Sequence, residues 1–255
     1  MIASSTLPAT SLAIQPGEKF TYRLAWGPFR QAASLEIVAE VDPDSAENHT
    51  RITTHTATRG LIRALYRFDG WGQFIYEPTA GRLLRAEAWT ETSSKETKAT
   101  MTLDYKQMKA RYEDHLRPNR SLELDIPTVQ AFDFLTTLVQ MRSWNLSLGD
   151  KVAVPVYFDD ELYPLVISVE ERTTINTPQG KREVLLVTPS MPVDPKGMFE
   201  DGGEIRVWIS DDELRLPLKF EVKMPVGTGM ALLMSHVPAH ATDIAQTRLT
   251  KSNTP

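Results

Sequence analysis

The chain has 255 residues, a net charge of −5 and a pI near 5.6, with 28 Lys/Arg interleaved among 33 Asp/Glu. A nucleic-acid binder needs a basic stripe to neutralise phosphates, and no Lys/Arg run supplies one for nucleic acid or for an anionic membrane surface, so neither is expected as a partner. Cysteine is absent, which excludes disulfide frameworks, thiol nucleophiles and thiolate metal sites.

No stretch reaches the run of about 18 to 20 apolar residues that crosses a bilayer as a helix. Residues 1–15 are small and polar and lack the charged start and apolar centre of a signal peptide. They are expected to be disordered or processed. A single β domain is expected over 16–237, followed by a flexible tail over 238–255.

From Phe20 onward the dominant signal is alternation with period two, the mark of a half-buried strand. Phe20, Tyr22, Leu24 and Trp26 share a face, as do Leu35, Ile37, Ala39 and Val41. Ile52, Thr54, Thr56 and Thr58 continue the pattern with β-branched residues. Next come Phe74 and Tyr76, then Ala86, Ala88 and Thr90 with Trp89 opposite, then Met101, Leu103 and Tyr105. A short turn is expected over 60–65.

Asp133 to Arg142 is the one segment with helical spacing. Leu135, Leu138, Val139 and Met141 fall on one side, Asp133 is placed to cap, and Arg142 sits in the last turn. Asp133 and Arg142 are nine residues apart, about two and a half helical turns, and so lie on different faces. Their expected duties are structural: Asp133 capping, Arg142 bonding to a carbonyl or an acid on the sheet.

Alternation then resumes. Val152, Val154, Val156 and Phe158 are followed by Leu165, Ile167 and Val169. The run Val184 to Val187 precedes Ile205, Val207 and Ile209, then Leu218, Phe220, Val222 and Met224, and last Met230, Leu232 and Met234. The count is roughly a dozen strands joined by short turns. The expected fold is mainly β: a large curved antiparallel sheet or barrel-like meander with one short α-helix at about 133–142.

Motifs that carry chemistry are missing. The histidines, His49, His55, His115, His236 and His240, form no dense ligand cluster, and Pro238 separates the last two. No G-x-S-x-G elbow or phosphate loop occurs. Asp159-Asp160-Glu161 and Asp211-Asp212-Glu213 each lie between alternating runs and are expected as solvated turns, and Gly202-Gly203 as a turn needing positive φ. The tryptophans Trp26, Trp71, Trp89, Trp144 and Trp208 are expected mainly in the core or in cross-strand pairs, with a groove for lipid or sugar as the alternative. No catalytic, cofactor-binding or metal-ligating residue is assigned.

Four segments carry a resemblance: P-G-E-K-F-T-Y-R-L-A-W-G (16–27), D-F-L-T-T-L-V-Q-M-R (133–142), L-G-D (148–150) and G-E-I-R-V-W-I-S-D-D-E-L-R-L-P-L-K-F (203–220). Together they resemble domain of unknown function 3108, a bacterial family. The resemblance implies an exported, mainly β protein of the periplasm or outer envelope, its signal peptide removed, and no known activity. The expected function is a non-enzymatic binding or scaffolding module of the cell envelope, without cofactor. Its partner would be an apolar ligand, a lipid or lipidated molecule, or an envelope protein. The alternative is a hydrolase of envelope polymers.

Overall fold

The computed structural model describes residues 11–239, apart from 127, 129, 159, 160, 194, 196, 225 and 226. Strand makes up 61% of it, against two α-helices of six and seven residues. Among the described residues fifteen strands form one sheet, ordered β8-β7-β6-β5-β4-β3-β2-β1-β15-β14-β13-β12-β11-β10-β9. The first half comprises β1 (Lys19–Trp26), β2 (Phe29–Val41), β3 (Thr50–Thr58), β4 (Phe68–Glu77), β5 (Arg82–Thr92), β6 (Glu96–Asp104), β7 (Lys109–Asp114) and β8 (Leu122–Asp125). The second half comprises β9 (Phe132–Asp133), β10 (Lys151–Phe158), β11 (Glu161–Thr177), β12 (Gly180–Ser190), β13 (Glu204–Ser210), β14 (Pro217–Met224) and β15 (Gly227–Val237). Helix α1 (Gly60–Leu65) lies between β3 and β4, and α2 (Phe134–Gln140) follows β9. All pairings are antiparallel except the short parallel one of β9 with β10.

The sheet is a meander whose two ends are neighbours in sequence. β8 and β9 occupy opposite edges, yet only residues 126–131 join them. Laid flat, fifteen strands would put those edges about 65 Å apart, whereas that link spans about 25 Å at most. The sheet therefore curls. The segment around β9 returns to the inner face of β4 and β5: Leu83 N–H donates to the Ala131 carbonyl (3.0 Å), and the Tyr76 hydroxyl donates to Asp133 (2.8 Å).

Alternation specifies the inner face. Phe20, Tyr22, Ile37, Ile52, Tyr76, Leu83, Val156, Leu165, Ile167 and Val207 are all buried, in one continuous cluster that runs from Leu12 to Leu233. The acidic segment 211–213 is a turn between β13 and β14, as its composition implies; Asp159 and Asp160 lie outside the described residues. Gly202 has φ of +77°, and a Cβ on Gly203 would lie 2.0 Å from the Met198 carbonyl oxygen. That dipeptide is required by positive φ at one residue and a close backbone approach at the next.

The amino-terminal boundary differs from the expectation. Leu12 and Ile14 are buried, so the packed structure includes residues from the segment expected to be disordered or processed. The segment is held by Leu12 N–H to the Pro78 carbonyl (2.9 Å), Ala13 N–H to the Gln140 side chain (2.8 Å) and the Gln140 amide to the Ser11 carbonyl (3.0 Å), among other bonds. Most of the expected tail, residues 240–255, lies outside the described residues.

Candidate functional site: an aromatic row on the outer face

Helix α2 is positioned by two buried polar networks. Asp133 caps it, accepting from the Thr136 N–H (2.9 Å). The same carboxylate accepts from the Tyr76 hydroxyl (2.8 Å) and, at close range, the Thr136 hydroxyl. Burial, then the Asp133 charge, raises the Tyr76 phenol well above its usual pKa, so it serves here as a neutral donor. Leu138, Val139 and Met141 face the core; the Leu135 side chain is outside the described ones.

Arg142 lies in the 3-10 turn after α2 and reaches back to the sheet. Its Nη1 donates to both Glu18 oxygens (3.0 and 3.2 Å), and its Nε donates to the Leu214 carbonyl (3.0 Å). His236 Nε2 lies 2.9 Å from Glu18 Oε1. Burial raises the Glu18 carboxyl pKa, but the His236 hydrogen bond, the Arg142 charge and the Gln15 N–H together leave it below the usual value. Asp133 and Arg142 thus have the structural partners their types suggested. Sequence reading missed Glu18 and His236, because neither stands near Arg142 in the chain.

The functional candidate lies on the other side of the sheet. Outward positions of five consecutive strands fall into register: Glu36 opposite His55, His55 opposite Trp71, Trp71 opposite Trp89, Trp89 opposite Lys98. The His55 and Trp71 rings stack at 5.2 Å and 16°, and Trp71 and Trp89 at 4.3 Å and 15°. This column forms a wall of an open cavity of about 500 Å³, lined also by Val38, Thr53, Gln73 and Glu87. Trp71 and Trp89 are only half-buried, so they are not core residues but the cross-strand pair that is the other expected place; Trp144 and Trp208 are buried as expected. The signal was present in sequence as Trp89 out of phase with Ala86, Ala88 and Thr90.

Each carboxylate in the cavity has a cation beside it. Glu36 pairs with Lys19 (3.2 Å), and Glu87 with Arg85 (3.4 Å) and Lys98 (3.9 Å). A glycoside-cleaving acid is usually isolated in an apolar pocket, and neither glutamate has that setting. Among the described residues, no group of three or more His, Asp or Glu could hold a metal ion, and no helix is long and apolar enough to cross a membrane.

A curled antiparallel meander closed around a continuous core defines a barrel-like β protein. The same architecture occurs in a β-barrel-like protein of domain of unknown function 1849 from Brucella abortus, with TM-score 0.58 at 11% identity, covering 93% of this chain and 100% of that one. Weaker similarity, TM-score 0.33 at 8% identity, covers 90% of this chain and 100% of a candidate lipoprotein from Parabacteroides distasonis. The chain itself belongs to the family described as protein of unknown function DUF3108, whose model matches residues 21–234. No curated protein matches it in sequence.

Proposed function

We propose that the protein is a non-enzymatic binding module of the bacterial cell envelope, and that the outer-face cavity receives a polar glycan. The observation that carries this reading is the His55–Trp71–Trp89 column standing beside Glu36, Gln73, Glu87 and Lys98 in one open cavity. Aromatic carbon suits the C–H surfaces of a sugar, while carboxylate, amide and ammonium groups suit its hydroxyls. An acyl chain laid there would strip water from those groups without replacing their hydrogen bonds. The inner face offers less support for a lipid, since Phe132, Leu138, Val139, Met141 and Trp144 fill the space beside α2. Strand addition at an edge is also less favoured: β8 has four residues, and its Glu123 and Asp125 both pair with Lys109.

The test is co-sedimentation of the purified protein with isolated peptidoglycan sacculi. Retention is expected, falling about tenfold in Trp71→Ala, in line with the loss of one well-placed aromatic contact. Release of soluble sugar from the sacculi would favour the hydrolase reading. Equal retention of wild type and variant would remove the cavity from the function, and stoichiometric lipid in an organic extract would restore a carrier.

A further inference from the structure

We infer that the β3–β4 tip is a docking surface for an anionic lipid bilayer. The tip reads R-G-L-I-R-A-L-Y-R over residues 59–67, with three arginines among four large apolar side chains. Gly60 has φ of +54°, which turns the chain sharply off β3 into α1. The helix buries none of its residues. Leu61, Leu65 and Tyr66 are 64%, 71% and 54% exposed, and Leu61 and Leu65 stand one turn apart on the same side. Soluble surfaces carry scattered apolar residues, but a helix that presents its apolar side to solvent marks an interaction site.

The tip is held rigidly. Arg63 makes a bidentate pair with Asp69 (3.0 and 2.8 Å) and donates to the Thr58 carbonyl (3.3 Å). Arg67 is shared between Asp69 and Glu91 (3.3 Å each). These two arginines consume the nearby carboxylates and fix the apolar side chains outward.

Charge complementarity selects the occupant. Among the described residues, the Arg59 guanidinium meets only the Ser34 hydroxyl (2.8 Å). Arg30, also exposed, stands two residues from Ala32, whose carbonyl accepts the Arg59 N–H (2.8 Å). Positive charge therefore remains beside the apolar tip, the combination that binds an interface of acyl chains and anionic headgroups. A second copy of the chain is a poorer partner, because a two-fold contact here would oppose the same arginines. The surface is separate from the outer-face cavity, so it stands whether or not that cavity binds a glycan.

The experiment is flotation with vesicles of phosphatidylcholine containing 30% phosphatidylglycerol, compared with pure phosphatidylcholine. Binding is expected to the first and only weakly to the second. Arg59→Glu is expected to weaken it at least about fivefold, and Leu61→Ser with Leu65→Ser about tenfold or more. Because the chain has no cysteine, Leu65→Cys carrying a polarity-sensitive dye reports the same contact without loss of fold; its emission is expected to shift blue with anionic vesicles. No flotation and no blue shift would overturn the inference. So would a dimer in sedimentation velocity that the double serine variant dissociates.

Discussion

At the scale of single residues, the Glu18–Arg142–His236 cluster is the most demanding arrangement in the molecule. A carboxylate taken out of water is tolerated only when its lone pairs are engaged and a cation is close. Glu18 meets that condition through Arg142, His236 and the Gln15 N–H. Its folded pKa lies below the ordinary 4.5. The stabilisation is thus complete above that value and is lost as pH falls through the lower folded one. Glu18→Gln mimics the protonated side chain. Urea midpoints of wild type and Glu18→Gln are expected to differ clearly at pH 7 and to converge well below pH 4.5; an equal gap at pH 7 and pH 3 would contradict this role. Trp71 and Trp89 show the opposite economy at this scale: large apolar rings left half in water, stacked on each other to limit what they expose.

Among the elements, α2 is short, and its stability comes from its start and from tertiary contacts rather than from its length. Asp133 satisfies a free helix N–H, the Thr136 hydroxyl and the Tyr76 phenol at once. Asp133→Ala is expected to cost about 2 to 4 kcal/mol, the sum of a lost cap and a buried hydroxyl left without an acceptor. Tyr76→Phe, which removes the second partner while the cap survives, is expected to cost only about 1 kcal/mol. Urea denaturation of both variants checks the order; equal losses would show that the Tyr76–Asp133 bond, not the cap, is what matters. Helix α1 is built differently, without a side-chain cap and without buried residues, and is secured by the Arg63–Asp69 pair and by the Arg63 bond to the Thr58 carbonyl.

Across the whole molecule, closure depends on segments that lie outside the meander proper. Leu12 and Ile14 enter the core from the amino-terminal side and tie it to Pro78 and, through Ala13, to Gln140 of α2. Removing residues 1–15 is expected to destabilise the protein by about 3 kcal/mol or more, the burial of two aliphatic side chains. Removing only residues 1–9 leaves both in place. Thermal melts of the two truncations decide the point, and a melt of the longer deletion that matches the full chain would place Leu12 and Ile14 outside the cooperative unit.

Period-two alternation was enough to mark where strands run and which side faces in, because successive strand side chains point to opposite faces. Hence Phe20, Tyr22, Ile37, Ile52, Val154, Ile167 and Val207 were identified as inward by spacing alone. The cap at Asp133 and the turn at 211–213 were equally legible, being local chemistry. Alternation says nothing about which strand lies beside which, or in what register. The row from Glu36 to Lys98 exists because four hairpins bring five outward positions level, and register depends on turn length and bulges rather than on side-chain type. Arg142 meets Glu18 across 124 residues, and His236 meets it across 218. Only the curl of the sheet, forced by the short link between its two edges, sets contacts at that range.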